Sequence, residues 1–427
     1  MVREIIYLIF ISIFFLAGCR TETSIITDRN LAYLYNPSLT SLHPRYKVFH
    51  NNDETSTLYV KVYPVELLFN QANEEGVYRA ELKVFYRLYE LDDFRMMVDS
   101  GYNHYYINMQ NVRKDFIAQI PIQAKRLHKY NLEVITHDVL RKKAVQAYIP
   151  IDKTSAFNAQ NFKVFRYSTG SSVFNPILDS NLVVRLQFPN ETVDSLYVHF
   201  YNNFPRLPLP PLYSIQTRSL GNNPDSIWHL RYSDTLPIRL TTKGVYHFKV
   251  NPDVREGYTL YYFGEFFPSI KTPEQMIEPL EYLLSANEMR GIRNRSNPKL
   301  AIDDFWINVA GNIDKARELI RIYYNRVFYA NYFFVSDREG WKTDRGMIYI
   351  VYGPPDILFK NDKEEVWFYG KKKKSDKISF TFRKVNSSFT ENEYRLVRGE
   401  EVYTRWEDAV SSWKRGKVFD MDEQETK

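Results

Sequence analysis

Residues 340–356 read GWKTDRGMIYIVYGPPD, and this stretch decides how the C-terminal third of the chain is interpreted. Gly340 and Gly346 are predicted to bracket a tight turn, because glycine adopts backbone angles that other residues avoid. Trp341 provides a large apolar side chain that suits an anchor between packed elements. The stretch therefore predicts a tight turn at the junction of a helix and a sheet.

The polar residues of the same stretch predict a network that holds this turn. Thr343 and Asp344 carry oxygen atoms that accept backbone N–H bonds in turns. Arg345 is expected to form a forked hydrogen bond with Asp344, or with a carboxylate such as Glu364 or Glu365. These side chains are therefore interpreted mainly as structural.

The apolar run Met347–Tyr352 predicts a β-strand, because aromatic and β-branched side chains suit a pleated surface. The run is followed by Gly353, Pro354, Pro355 and Asp356. Proline has no backbone N–H group, so the two prolines are expected to end the strand and to stiffen the chain that leaves it.

The sequence around this stretch predicts a C-terminal domain over 269–418, built from helices and a small antiparallel sheet. Apolar residues recur at helical spacing in three places. Two predicted helices begin near Thr272 and near Pro298, and a third extends from Ile313 to about Phe334. Beyond the stretch, short strands are predicted at 365–369, 378–385 and 394–397, and an amphipathic helix is predicted at 402–413. The strand 365–369 is expected to pair with 347–352, and residues 419–427 are expected to form a tail.

Upstream of residue 269 the pattern is typical of β-structure. Alternating apolar and polar residues mark the predicted strands 58–65, 78–88, 116–122, 144–151, 182–188, 195–201, 244–250 and 258–263. Short strands separated by turn residues predict two antiparallel β-sandwich domains of the Ig-like type, over 56–155 and 156–268. The predicted fold class is therefore mixed, mainly β at first and α+β in the C-terminal part.

The N-terminus has the layout of a bacterial export signal over residues 1–18. A basic start, an apolar run and small residues precede Cys19, which is the one cysteine of the chain. Leu16-Ala17-Gly18-Cys19 resembles the bacterial lipobox, which implies cleavage before Cys19 and attachment of lipid to it. An ordinary signal peptide or a membrane-spanning anchor is the alternative. Residues 19–55 are expected to form a tether, within which Leu31 to Tyr35 is apolar enough to dock on a folded part.

The stretch quoted above also carries a resemblance to a known family. Its residues match the naming motif of the GWxTD domain and the continuation of that motif at Gly340, Trp341, Thr343, Asp344, Arg345, Gly346, Tyr352, Gly353, Pro354, Pro355 and Asp356. The resemblance covers roughly 270–415. The family is found mainly in Bacteroidota, and its members often carry β-rich regions before the domain. No enzymatic activity is commonly assigned to it, so the resemblance implies a role other than catalysis.

The composition limits the chemistry that the chain can perform. Aromatic residues make up 16% of it, and 57 basic against 51 acidic residues leave a formal net charge of +6, which gives no indication of nucleic-acid binding. None of the 8 histidines lies after His247, so the C-terminal domain lacks the commonest general base. The sequence has no motif for a metal, a cofactor or a catalytic nucleophile. The remaining candidates for an enzyme are scattered carboxylates, namely Asp303, Asp304, Asp344, Glu364 and Glu365.

These observations predict a non-enzymatic lipoprotein of the outer membrane, held by lipid on Cys19, on either the periplasmic or the cell-surface face. The protein is expected to be a structural subunit of an envelope complex for outer-membrane protein assembly, secretion or gliding, with outer-membrane proteins as partners. The alternative is a surface lipoprotein that binds a glycan or a peptide. Two sites stay open. Asp344, Arg345 and Asp356 are candidates to line a groove, and Lys371–Lys374 are either a solvated hairpin tip or a contact for lipid phosphates or an acidic subunit.

Overall fold

The computed structural model describes residues 30–421, except 71–75, 92–95, 180, 190–192, 203–206, 212–219, 221–222 and 371–377. The predicted signal peptide over 1–18, the lipidation site Cys19 and the lysines Lys371–Lys374 lie outside the described residues. The described chain forms two β-sandwiches and a C-terminal unit of helices and a small sheet. The predicted mixed fold, mainly β and then α+β, is therefore confirmed.

The first sandwich packs a three-stranded sheet against a four-stranded one. Its strands are β1 Arg45–His50, β2 Thr55–Val62, β3 Arg79–Glu90, β4 Met97–Asn108, β5 Phe116–Gln123, β6 Lys129–Asp138 and β7 Lys143–Asp152. They form the antiparallel sheets β1-β2-β5 and β4-β3-β6-β7. Because side chains alternate between the two faces of a strand, Leu58 and Val60 of one sheet meet Leu82 and Val84 of the other in one buried core.

The second sandwich is smaller, and its two sheets share a second core. Its strands are β8 Lys163–Arg166, β9 Val184–Gln187, β10 Ser195–Tyr201, β11 Ser226–Arg231, β12 Gly244–Lys249 and β13 Tyr258–Tyr262. They form the antiparallel sheets β8-β9 and β11-β10-β12-β13. Leu186 of the short sheet and Val198, Phe248 and Leu260 of the longer sheet are buried together.

The C-terminal unit places helices beside an antiparallel sheet of order β14-β15-β16-β17. Its elements are the helices α1 Pro273–Ile277, α2 Ala286–Arg293, α3 Pro298–Ala310, α4 Ile313–Phe333, α5 Asp344–Tyr352 and α6 Glu400–Lys414, and the strands β14 Ile357–Lys360, β15 Glu364–Tyr369, β16 Ile378–Lys384 and β17 Tyr394–Leu396. Thr272 and Gln275 form the capping box of α1, and Gly311, with φ +80°, ends α3. In the described residues, no helix is long and apolar enough to cross a membrane.

The strand predicted over Met347–Tyr352 was wrong, because these residues belong to helix α5. The Thr343 hydroxyl oxygen accepts the backbone N–H of Gly346 and begins the helix. Every residue of α5 is buried, so the helix shows no alternation of apolar and polar faces. The predicted pairing of this run with 365–369 was wrong for the same reason. Strand β15 pairs instead with β14 and β16.

The predicted tether over 19–55 was wrong for the part that follows residue 30. Residues Arg45–His50 form strand β1 of the first sandwich. Before it, the N-terminal segment, defined here as Asn30–Tyr35, docks on the C-terminal unit, as its apolar character predicted. The Leu31 N–H donates to the Leu358 carbonyl oxygen at 2.8 Å, and the Tyr35 ring lies 4.8 Å from the Phe334 ring. The first described residues therefore belong to the core of the last unit.

The second sandwich and the C-terminal unit share a smaller apolar cluster. Val245 and Tyr261, on strands β12 and β13, are buried there, and Val335 and Phe389 of the C-terminal unit pack against them. The Tyr261 hydroxyl donates to the Phe389 carbonyl oxygen at 2.8 Å. The two units are thus joined by buried contacts in addition to the chain that connects them.

Candidate functional site

The two glycines of the motif allow three backbone segments to touch. A Cβ atom added to Gly340 would lie 2.0 Å from the carbonyl oxygen of Ala330 in helix α4. One added to Gly346 would lie 2.0 Å from the carbonyl oxygen of Gly340. Neither glycine has a positive φ, so the predicted reason, unusual backbone angles, was wrong. Both positions need glycine because the backbones approach too closely for a side chain.

Trp341 and Thr343 fix the turn between helices α4 and α5. The Trp341 ring is buried. The backbone N–H of Trp341 donates to Asn331 Oδ1 at 3.1 Å, and its backbone carbonyl oxygen accepts the Tyr282 hydroxyl at 2.8 Å. The Thr343 hydroxyl donates to the Gly340 carbonyl oxygen at 2.7 Å while its oxygen caps α5. Thr343 therefore accepts a backbone N–H within the turn, as predicted, and Trp341 packs where the two helices meet.

Arg345 lies at the centre of a buried ionic cluster. Its NH1 group donates to Glu365 Oε1 at 3.1 Å and to the Tyr35 hydroxyl at 3.2 Å, and its NH2 group donates to the Asn392 carbonyl oxygen at 2.7 Å. Lys360 Nζ also donates to Glu365 Oε1, at 2.7 Å. Of the three partners predicted for Arg345, which were Asp344, Glu364 and Glu365, the structure therefore selects Glu365. The cluster also ties the N-terminal segment to the sheet.

The acid at the centre of this cluster is held in its charged form. Glu365 is fully buried, and the Tyr35 hydroxyl and the Trp367 indole N–H also donate to its carboxylate, at 2.7 and 3.2 Å. Burial would raise the pKa of Glu365, but Lys360 and Arg345 outweigh that effect and lower the pKa to about 2. Removing one member of such a buried cluster leaves another charge without its partner, which strongly destabilises the fold.

Asp344 is engaged by the strand and loop that precede helix α6. Its carboxylate accepts the backbone N–H of Leu396 at 2.9 Å and forms an ion pair with Arg398. Burial raises the pKa of Asp344, and Arg398 opposes that rise. The side chains of both charged residues are about 4% exposed. Asp344 and Arg345 therefore do not line an open groove, which contradicts the alternative interpretation of these two residues.

The end of the motif, in contrast, does line a cavity. Arg326 donates to the carbonyl oxygens of Ile350 and Val351 at 3.1 and 2.9 Å. It therefore provides hydrogen-bond donors for two carbonyl groups in the last turn of α5. The adjoining cavity, of about 570 Å³, is lined by Lys315, Glu318, Leu319, Arg326, Tyr352, Pro354, Asp356, Tyr369, Gly370, Gly416, Lys417, Val418, Phe419, Asp420 and Met421. Three basic and three acidic side chains are among them, so the cavity favours neither an anion nor a cation.

Four of the carboxylates considered for catalysis are paired with a cation, and one of these is Glu365, which pairs with Arg345 and Lys360. Asp303 lies 2.7 Å from Lys299 Nζ, and Asp304 lies 2.7 Å from Arg295 NH1, both on the surface. Asp344 is paired with Arg398, as described above. Among the described residues, no group of three histidine, cysteine, aspartate or glutamate side chains is placed to hold a metal ion.

A second concave surface lies on the first sandwich and was not predicted from the sequence. It is a groove of about 610 Å³ on the outward face of the sheet β4-β3-β6-β7, called the sheet groove below. It is lined by Phe85, Tyr86, Arg87, Met97, Ser100, Gly101, Tyr102, Ile135, His137 and Ala144. Strand β4 was missed because its sequence lacks regular alternation, and this surface was missed with it.

Comparison with known proteins identifies the C-terminal part of the chain. A family model described as the GWxTD domain matches residues 244–415. The match begins at the first residue of β12, so it includes the last two strands of the second sandwich as well as the C-terminal unit. No match to a curated protein was found. The chain is therefore a GWxTD domain-containing protein.

Proposed function

We propose that this chain is a lipid-anchored protein of the outer membrane, and that it acts as a structural subunit of an envelope complex without catalysing a reaction. Complexes for outer-membrane protein assembly, secretion or gliding are the setting in which such a subunit is expected to work. The partners are expected to be other outer-membrane proteins.

One observation carries this proposal: Asp344 and Arg345, the charged residues at the centre of the family motif, form ion pairs inside the protein. Asp344 pairs with Arg398, and Arg345 pairs with Glu365. A catalytic carboxylate or base must reach a substrate, whereas Asp344 and Arg345 are buried and each is paired with an oppositely charged side chain of the same protein. The motif thus supports a rigid framework that joins helices, sheet and N-terminal segment. A framework of this kind suits a protein that presents surfaces to partners.

The N-terminal segment limits the distance between the proposed lipid anchor and the GWxTD domain. Cys19 precedes Asn30 by 11 residues, which span at most roughly 40 Å when fully extended. Because Asn30 donates to the Asp356 carbonyl oxygen at 2.9 Å, a lipid on Cys19 would hold the GWxTD domain within that distance of the bilayer. The domain at the end of the sequence would then be close to the membrane.

The anchor is tested first, by mass spectrometry of the N-terminal peptide from the native host. We expect Cys19 to be the first residue and to carry acyl chains, since two or more chains hold a protein stably on a bilayer. The Cys19→Ser variant, exported behind a signal peptide that is cleaved without lipidation, should lack the lipid and leave the membrane fraction. An unmodified Cys19 in a soluble mature protein would contradict the proposal.

The role as a subunit is tested by cross-linking in intact cells, followed by mild-detergent purification. The lipidated protein should form cross-links with defined outer-membrane proteins and co-purify with them in a fixed ratio. The Cys19→Ser variant is the matched control, because it keeps every surface and loses only its place on the membrane. A monodisperse monomer with no cross-linked partner would count against the proposal.

A further inference from the structure

The outward face of the sheet β4-β3-β6-β7 carries a row of aromatic side chains. Tyr102, His104 and Tyr106 alternate along β4, so they lie on the same face of the sheet. The ring centroids in this row are 6.4 and 4.5 Å apart, and Tyr102 lies 4.9 Å from Phe85 of β3. Tyr102 is 51% exposed and Tyr106 is 60% exposed. The row therefore presents a large area of ring surface to solvent.

The sheet groove begins at this row and leads to a strip of polar side chains. Arg87 NH1 donates to Glu133 Oε2 at 3.2 Å. Gln146 donates through Nε2 to the Glu133 carboxylate and, at 2.7 Å, to the Tyr148 hydroxyl. These bonds hold hydrogen-bonding groups of three strands in fixed positions beside the rings. The volume of about 610 Å³ lies within the range of roughly 300–1,000 Å³ that is usual for small-molecule sites.

The acidic and basic side chains around the groove and the aromatic row are equal in number, which restricts the class of ligand. Among the described lining residues, Arg87 is the charged side chain, and it forms an ion pair with Glu133. In the aromatic row, Glu81 lies 3.4 Å from His104, and the Lys83 ammonium lies 5.8 Å from the centroid of the Tyr102 ring. The cations Arg87 and Lys83 are therefore balanced by the carboxylates Glu133 and Glu81. A charged polymer would gain little from this surface, because attraction to one sign of charge is offset by repulsion from the other.

The position of the groove also argues against a peptide that adds a strand. Strand addition uses unpaired backbone groups at the edge of a sheet. The groove lies on the face of the sheet, where the backbone of β3 is already paired with both β4 and β6. The ligand must instead combine flat apolar surface, to cover the rings, with neutral hydrogen-bonding groups, to meet the polar strip.

We propose that the sheet groove and its aromatic row bind a neutral glycan chain. Sugar rings combine apolar C–H faces with uncharged hydroxyl groups, and thus match both parts of this surface. Tyr102 and Tyr106 would stack against successive sugars, while Arg87, Glu133 and Gln146 would exchange hydrogen bonds with the hydroxyl groups. This site is independent of the lipid anchor, so the result at Cys19 does not decide it.

The test uses the full chain, purified in a detergent without a sugar headgroup, and a panel of immobilised oligosaccharides. The neutral members are built from glucose, xylose, mannose or galactose, and polygalacturonate and heparin are the anionic members. We expect binding to at least one neutral member, with a Kd that does not change with salt concentration. Tyr102→Ala and Tyr106→Ala should each weaken binding about tenfold or more, because ring contact is lost.

Tyr167→Ala is the matched control, because Tyr167 is 50% exposed and lies on the second sandwich. This variant should bind as the unchanged protein does. Melting temperatures of all variants show whether the fold is kept. The proposal is overturned if the unchanged protein binds no neutral member at millimolar concentrations, or if it binds only anionic members in a salt-dependent way. It is also overturned if both tyrosine variants fold and bind normally.

Discussion

Gly340 shows how little space the motif leaves at the scale of single residues. The missing side chain lets the turn lie directly on the backbone of helix α4, at Ala330. A backbone contact cannot be relieved by rotating a side chain, so any substitution must move the turn or the helix. The buried groups around it, including Trp341 and Asn331, depend on the same spacing.

Gly340→Ala is therefore expected to destabilise the GWxTD domain by at least about 2 kcal/mol. The measurement is the melting temperature of the full chain, followed by near-ultraviolet circular dichroism, which reports on the packed tryptophans. Gly291→Ala is the matched control, since a Cβ at Gly291 in helix α2 meets nothing within 4 Å. The control should be neutral or slightly stabilising, because alanine favours helix. Equal melting temperatures for the two variants would refute this account of the motif.

Glu365→Gln tests the buried ionic cluster. Removing the negative charge leaves the buried Arg345 guanidinium and the Lys360 ammonium without their carboxylate partner. We therefore expect the free energy of unfolding to fall by about 3–5 kcal/mol. Glu391→Gln is the control: Glu391 pairs with Lys384, but its side chain is 76% exposed. Chemical denaturation of the control should therefore show a loss below about 1 kcal/mol. Similar losses for both variants would show that burial does not matter here.

The same cluster predicts a pH dependence of stability. The pKa of Glu365 is lowered from 4.5 to about 2 in the folded protein, so the unfolded chain binds the proton more readily. The stability that Glu365 contributes is therefore fully present above pH 4.5 and is lost as the pH falls towards 2. Melting temperatures of the unchanged protein should drop in that window, and those of Glu365→Gln should drop less. An equal drop in both proteins would locate the acid sensitivity elsewhere.

At the scale of elements, helix α5 shows where the sequence misleads. Met347–Tyr352 is apolar throughout, and a short buried run looks the same whether it forms a strand or a buried helix. The signal that distinguishes them lies outside the run, in Thr343 as an N-cap and Asp344 in the first turn. Helices α3 and α4 were predictable because a polar face and clear end signals, such as Gly311 and Asn312, frame them.

The sandwiches were predictable to a similar degree. Strands with regular alternation, such as β3 and β10, were located nearly to the residue. Five strands of the sandwiches were missed, namely β1, β4, β6, β8 and β11. Strand β4 contains Asp99, Ser100 and Gly101, which are uncommon in strands. Its partners decide its conformation: it pairs with β3 along almost its whole length. Tertiary pairing of this kind cannot be read from one segment alone.

The N-terminal segment supplies a prediction at the same scale. Tyr35→Ala removes a ring packed against Phe334 and Trp367 and also the hydroxyl that donates to Glu365. We expect a loss of about 3–5 kcal/mol, as for other large buried side chains. Hydrogen exchange should become faster in strand β15, next to the segment, and stay unchanged in strand β6 of the first sandwich. Faster exchange in β6 but not β15 would contradict the docking described here.

For the whole molecule, the contacts between units could not be predicted from the sequence. The apolar character of Leu31 to Tyr35 indicated that the segment docks, but nothing in it indicated a partner more than 300 positions away, such as Leu358. The same holds for Arg345, whose choice of Glu365 depends on how sheet and helix meet. Pairings over such distances follow from the assembled fold and not from local pattern.

The isolated GWxTD region is therefore expected to be incomplete. A fragment of residues 244–427 lacks the N-terminal segment and should melt at a lower temperature than the same region in the full chain. Adding a synthetic peptide of residues 30–40 should raise the melting temperature, because a ligand that binds only the folded state stabilises it. The same peptide with Tyr35→Ala is the control and should have little effect. Equal effects of the two peptides would argue that the segment contributes no specific contact.

The docking of Asn30–Tyr35 also has a consequence for the order of assembly. A chain is synthesised from its N-terminus, so Asn30–Tyr35 emerges more than 300 residues before its binding surface on β14 and β15. Both sandwiches have every one of their described strands available before that moment. The contacts of Asn30–Tyr35 with β14 and β15 can form only after it. The slowest contact to form is thus the one that closes the polypeptide into a loop.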